Sequence, residues 1–230
     1  MSENVARSLN HFAVTAFTDA YWALPASEKA EIHGAWLDGL QRAATRVEIY
    51  QVFPTEHAAD LVVWSAVEAE DPGAAFEFFD AFARATNPVR QYLRLATTLW
   101  GYTRPSQYSK AQRSPQEIDP FDGTRKRYLT IYPFVKTVDW YLMSRDARQG
   151  MMNEHIRVGK QYPEILQLLL YSFGVQDQEF VVVYEMDDLR QFSDLVADLR
   201  AVDGRRYTER DTPLHTGLYR TAEETLALFR

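Results

Sequence analysis

Arg127-Tyr128-Leu129-Thr130-Ile131-Tyr132-Pro133-Phe134-Val135 alternates with a period of two. Tyr128, Tyr132 and Phe134 share one face and Leu129 and Ile131 the other, as in a strand packed on both sides. Ser144 stands where it can cap a long helix running to about Tyr162. After Pro163 a short helical stretch is expected, leading into Tyr171–Val175. A turn at Gln176-Asp177 and a strand over Glu179–Tyr184 follow. Asp187 opens a helix with Leu189, Phe192, Val196 and Leu199 inward, and the pattern closes on an extended segment near Leu214–Tyr219.

The same order is legible upstream. His11–Trp22 is rich in β-branched and aromatic residues, and Ser27 can cap a helix with the stripe Ile32, Trp36, Leu40, Ala43. Val47–Phe53 and Asp60–Ala66 read as two strands around Pro54-Thr55-Glu56-His57. Asp71-Pro72 has the form of a helix start, ahead of Phe76, Phe79 and Phe82, and Leu95–Tyr102 reads as another strand. Two tandem βαββαβ units predict an α+β fold built from duplicated ferredoxin-like halves, of the dimeric α+β barrel type. The expected division is residues 1–102, an inter-domain loop over 103–126, and residues 127–230, which carry the candidate site.

Bulk properties restrict the function classes. A chain of 230 residues can bury about 70–75% of its unfolded surface without staples. The absence of cysteine removes disulfide frameworks, thiolate metal sites and iron–sulfur clusters. A net charge of −7 argues against a nucleic-acid partner. No apolar run is long enough to span a bilayer, and Met1–Arg7 has no signal-peptide core, so a cytoplasmic location is expected.

Among the five histidines, His155 alone has a suggestive setting. It lies on the Ser144 helix with Met151 four residues before it and Gly159 four after. A histidine on an apolar helical face can ligate a buried metal or haem iron; it can equally be a core histidine satisfied by one hydrogen bond. No H-x-x-x-H pair and no Gly-rich phosphate loop is present. Tyr132, Lys136 and Trp140 combine oxidisable rings with a cation able to hold a carboxylate. The plainer alternative is an aromatic strand edge with a solvated lysine.

The blocks Tyr132-Pro133-Phe134-Val135-Lys136, Trp140-Tyr141, Glu154-His155-Ile156-Arg157-Val158-Gly159-Lys160-Gln161-Tyr162 and Ser172-Phe173-Gly174-Val175-Gln176-Asp177-Gln178-Glu179-Phe180 resemble the coprohaem decarboxylase branch of the chlorite dismutase-like family. The resemblance is densest from Ile118 to Gly217. It implies the same duplicated ferredoxin-like fold. It makes His155 the axial iron ligand, Tyr132 the radical-forming catalytic residue and Lys136 a propionate contact. Arg200 falls in the family's propionate-binding region, with Trp140 in the same binding set. Gln167 is the distal residue, expected on a helix before Ser172.

The implied substrate is iron-coproporphyrin III, which is also the redox centre, with hydrogen peroxide as oxidant and haem b as product. The implied assembly is a homo-oligomer, pentameric in this branch. Two features depart from relatives: no arginine lies between Gln161 and Gln176, and no histidine in 103–126 can act as a distal base. A chlorite-splitting peroxidase and a non-enzymatic haem carrier are the alternative readings.

Overall fold

The computed structural model describes residues 7–108 and 114–230. The first half runs β1 (Ser8–Phe17), a single helical turn α1 (Asp19–Trp22), α2 (Ala26–Ala43), β2 (Arg46–Gln51), β3 (Leu61–Glu68), α3 (Ala74–Thr86) and β4 (Leu93–Thr103). The second runs β5 (Tyr128–Lys136), α4 (Val138–Leu142), α5 (Arg145–Gly159), β6 (Leu166–Tyr171), β7 (Phe180–Met186), α6 (Leu189–Arg200), β8 (Thr208–Arg210), β9 (His215–Tyr219) and α7 (Ala222–Ala227). Strand order is β4-β1-β3-β2 in the first half and β9-β5-β7-β6 in the second, the same ferredoxin-like order twice. Pairings β2–β9 and β4–β6 close the two antiparallel sheets into one barrel, with β8 appended to the end of β5.

Each closing seam is only two residue pairs long: Tyr50↔Tyr219 and Gln51↔Leu218 at one, Tyr102↔Tyr171 and Thr103↔Leu170 at the other. A glycine sits beside each seam at equivalent positions of β9 and β4. A Cβ on Gly217 would lie 2.7 Å from Cβ of Tyr50, and one on Gly101 would lie 2.7 Å from the Tyr171 carbonyl oxygen. Close approach of backbone, not turn geometry, requires glycine there.

The period of two along every strand sorts side chains into three cores. The barrel interior takes Phe12, Val62, Trp64, Leu99, Leu129, Ile131, Leu168, Leu170, Val181 and Val183. Outside the first half, α2, α3 and α7 cover Leu9, Ala13, Ile49 and Val63 with Trp36, Leu40, Phe78, Phe82, Leu226 and Phe229. Outside the second half, Tyr184 and Met186 pack with Val158, Phe192 and Leu195. One end of the interior holds charge. Arg125, from the stretch before β5, stacks 4.6 Å from the Trp64 ring centroid and lies 3.6 Å from Glu185 and 3.7 Å from Glu48. The Tyr50 hydroxyl donates to Glu185 at 3.0 Å, and burial raises the Glu185 carboxyl pKa despite Arg125.

Several local expectations need correction. Ser27 does not cap α2; the helix starts at Ala26 with Pro25 in the cap position. Asp71 accepts from the Gly73 amide at 2.6 Å in a turn, and α3 starts at Ala74. Asp188, not Asp187, caps α6. His11–Trp22 is a strand only to Phe17, where Thr18 caps the turn that follows. The short helix expected after Pro163 is strand β6, and Ser172–Val175 is a turn rather than extended chain. An apolar run this short has no readable helical period, and pairing with β7 over six residues decides it. The loop over 103–126 falls partly outside the described residues, since 109–113 lie there. Its latter part is not free of structure: Glu117 bridges to Gln167, and Ile118 is fully buried in the barrel.

Candidate functional site

Register gathers the sequence-selected residues on the outer face of the second half-sheet. Tyr132 lies opposite Val182, Phe134 opposite Phe180, and on β6 Gln167, Leu169 and Tyr171 lie opposite Tyr184, Val182 and Phe180. Antiparallel partners share a face, so Tyr132, Gln167 and Tyr184 look the same way. The opposite face belongs to the barrel interior. Gln167 is therefore on a strand, contrary to expectation, and its side chain is exposed. Its backbone holds the returning loop: its amide donates to Gln116 at 2.7 Å and its carbonyl accepts from Ile118 at 3.0 Å.

Helix α5 stands over this face. The Ser144 hydroxyl caps it by accepting from the Ala147 amide, as expected. Its inward stripe is not a packed core stripe. Only Val158 is buried, while Met151, Met152, His155 and Ile156 remain half-buried. Nothing lies within 4 Å of where a Cβ on Gly150 or Gly159 would stand. An amphipathic helix normally buries its apolar stripe, and α5 keeps part of its stripe uncovered around a histidine.

The His155 pKa is lowered to about 4, by burial first and by the Lys136 charge second. Its imidazole is thus neutral at physiological pH and has a lone pair for a metal. Among the described residues no cluster of three metal-ligating side chains exists, so a metal here would have to arrive with ligands of its own, as in a porphyrin.

Lys136 is held by its surroundings. Its amide donates to Glu179 at 2.7 Å, its ammonium donates to the Gly204 carbonyl at 3.1 Å, and the ammonium sits 4.2 Å from the buried Trp140 ring. Burial, with Arg205 adding to it and Glu179 opposing, lowers its pKa to about 8. Arg200 and Arg205 both reach Asp211, at 2.8 and 3.2 Å. The Tyr132 phenol is pushed well above its usual pKa, by burial first, then by Tyr184 and Asp211, with Arg200 opposing. Its ring stacks on Tyr184 with centroids 6.3 Å apart.

Tyr132, Lys136, His155 and Arg200 are thereby in one electrostatic neighbourhood, with Trp140 under the lysine; Gln167 lies two strands from β5 on the same face. Beside them is open aromatic surface. Tyr141, Leu169 and Phe173 are exposed by 37–43%, and Phe173 meets Phe180 at 5.0 Å and Tyr141 at 6.1 Å. An apolar floor, a neutral imidazole and three cations suit a flat metal chelate with carboxylate arms.

Sequence reasoning missed three residues that hold this arrangement. Glu179 takes both the Lys136 amide and the Tyr141 hydroxyl, and Asp211 gathers the two arginines. Gln116 donates to the Tyr162 carbonyl at 2.9 Å and the Ile165 carbonyl at 3.1 Å, tying the loop to the end of α5. Glu179 lay inside a quoted block and was findable; Gln116 and Asp211 stand in unpatterned polar segments that give no signal.

Comparison with known proteins agrees with this geometry. Residues 26–220 match the family model described as chlorite dismutase, and the chain belongs to the chlorite dismutase family. Among individual relatives, a protein named coproheme decarboxylase from Mycolicibacterium smegmatis is 28% identical over 182 residues, covering 78% of this chain and 75% of that one. One of the same name from Staphylococcus saprophyticus is 27% identical over 157 residues, covering 64% of this chain and 62% of that one. In fold, the chlorite dismutase of Candidatus Nitrospira defluvii solved with imidazole superposes with a TM-score of 0.82 at 22% identity, over 96% of this chain and 94% of that one.

Proposed function

We propose that this protein is a cytoplasmic enzyme that uses hydrogen peroxide to decarboxylate iron-coproporphyrin III, turning two propionates into vinyl groups and yielding haem b, the last step of the coproporphyrin-dependent haem route. The observation that carries the reading is the convergence of a neutral His155, a buried Lys136 and the Tyr132 phenol on one open aromatic face. The family, and the name shared by two relatives, support it.

In this reading His155 ligates the iron through its free lone pair. Lys136 and Arg200 take propionates by charge-assisted hydrogen bonds, Arg200 exchanging Asp211 for substrate. Trp140 keeps the lysine stem fixed, and Gln167 borders the opposite side. The bound iron chelate supplies the redox chemistry. Tyr132 loses its phenolic hydrogen to become a neutral radical, takes a hydrogen atom from a propionate β-carbon and so regenerates the phenol. The carboxylate then leaves as carbon dioxide while one further electron passes to the oxidised centre. Per propionate, one peroxide and one proton are consumed, and one carbon dioxide and two waters are released.

Gln167 brings no positive charge to an anionic oxychlorine species, which weighs against chlorite chemistry. The assembly is read as a homo-oligomer, a pentamer by family, and light scattering would give its mass. Incubating the purified protein with iron-coproporphyrin III and peroxide and following products by mass tests the function. Haem b should accumulate; unchanged substrate would leave a carrier, and rapid oxygen release from chlorite would leave a chlorite-splitting enzyme.

A further inference from the structure

The largest cavity described in the fold is not the site above. It measures 570 Å³ and opens at one mouth of the barrel, lined by Thr97, Leu99, Pro133, Asp177, Arg210 and His215 among others. His215 pairs with Ile131, whose side chain is in the barrel core, and Pro133 follows Tyr132 with opposite orientation. The cavity therefore lies on the inner side of the sheet that carries Tyr132 outside. Its volume is in the range of small-molecule sites.

Three groups on its wall have unmet valence. The His215 side chain is only 7% exposed, and its Nδ1 lies 2.8 Å from the Glu56 carboxylate. Its Nε2 is fully buried with no hydrogen-bond partner. A carboxylate on Nδ1 draws the proton there, so in the neutral ring Nε2 is a bare acceptor. Glu56 is not on the cavity wall, so the ring turns its other edge, carrying Nε2, toward the space. An orphaned buried acceptor costs about 1–3 kcal/mol and calls for a donor. Arg210 and Asp177 stand exposed on the same wall, and neither takes part in an ion pair among the described residues.

The rest of the wall is pre-set. Gln176 accepts from the Trp100 amide at 2.8 Å and donates to the Thr98 carbonyl at 3.0 Å. Its side chain is committed to structure and holds the β6–β7 turn, and with it Asp177, against β4. A fixed wall with one cation, one anion and one bare acceptor matches a ligand that has an anionic end and a cationic donor.

We propose that the barrel mouth is a second binding site, for a small zwitterion of the α-amino acid class. The carboxylate meets the Arg210 guanidinium, and the ammonium donates to Asp177 and to Nε2 of His215. The site stands on residues that the proposed decarboxylation does not use, so either reading can fail alone.

Titration calorimetry on the full chain, without porphyrin, tests it with L-serine, L-glutamine and L-phenylalanine, against L-lactate, which lacks the ammonium, and ethanolamine, which lacks the carboxylate. At least one amino acid should bind, and lactate and ethanolamine should bind about tenfold or more weaker. Arg210→Gln and Asp177→Asn, both at exposed positions, should each weaken amino-acid binding by about tenfold while circular dichroism is unchanged. Imidazole nitrogen NMR should shift Nε2 of His215 on saturation. No binding by any of the three amino acids would overturn the proposal. So would lactate binding as tightly as the amino acids, or full affinity in Arg210→Gln.

Discussion

Tyr132 is the residue on which the proposed chemistry turns, because a phenol can be oxidised by one electron and a phenylalanine ring cannot at accessible potentials. Tyr132→Phe keeps shape and burial, so coprohaem should bind through His155 with a near-normal spectrum while carbon dioxide release falls by at least about a hundredfold, the scale of losing one essential acid–base or redox group. Haem b formation at close to the wild-type rate would make Tyr132 structural and turn attention to Trp140. Lys136 predicts a pH dependence. With a pKa near 8, its ammonium is largely present at pH 7 and largely absent at pH 9. Holding a propionate requires the charged form, so coprohaem affinity should fall as pH rises through 8, and a fluorescence-quenching titration at pH 7 and 9 reads the change. Lys136→Met should abolish that dependence; an unchanged slope in the variant would assign it elsewhere. These two residues, with His155, were legible in the sequence because strand alternation and helical spacing fix which way a side chain looks. The partners that tune them were not, since Glu179 and Asp211 meet them across 43 residues in one case and through arginine side chains in the other.

At the scale of elements, the half-sheets and most helices were readable because each strand is packed on both faces and keeps its period. β6 was misread because six residues with four leucines carry no phase, and only its neighbour β7 sets it. Helix α7 was missed altogether: six residues give less than two turns, although Thr221 and Glu224 form a capping box that stood in the sequence. The two seams are where the elements are least redundant. Gly101→Ala would push a methyl group against the Tyr171 carbonyl, and since a backbone oxygen cannot rotate away, the β4–β6 seam must spread. A loss of about 1–3 kcal/mol is expected in chemical denaturation, with faster amide exchange at Tyr102 and Thr103. Ser144→Ala, removing the α5 cap, should cost about 1 kcal/mol and loosen His155 without touching the sheet; equal effects of the two changes on the Soret band would contradict that separation.

For the whole molecule, closure of the barrel depends on what fills it. Arg125 and Glu185 have side chains only 1% exposed, so neither charge is hydrated, and each is tolerable only because of the other. Arg125→Met leaves Glu185 and Glu48 facing an apolar interior and should cost about 3–5 kcal/mol, the usual penalty for one orphaned member of a buried pair, while Arg125→Met with Glu185→Gln should recover part of it. Non-recovery in the double variant, followed by urea denaturation, would mean that Arg125 acts through its contacts to the 119–122 carbonyls instead. The duplication was evident from the order of patterns, but its closure into a barrel was not derivable from spacing, since both seams join residues far apart in the chain and rest on two pairs each.

The two halves have parted company at one point. In the first half, α2 holds the position that α5 holds in the second, and it too carries a histidine. There Tyr21 occupies Nε2 of His33 at 2.7 Å and itself donates to the Phe229 carbonyl, while Leu226 and Phe229 fill the space over the sheet. The tail of the chain thus does for one copy what a guest molecule would do for the other. Gene duplication supplied two berths and the terminal helix retired one of them, which makes loading an odd-numbered affair: one guest for each chain. A version shortened to Thr221 would reopen the retired berth, and its guest-to-chain ratio, rising above one or staying there, would tell whether the ancestor of this barrel carried two.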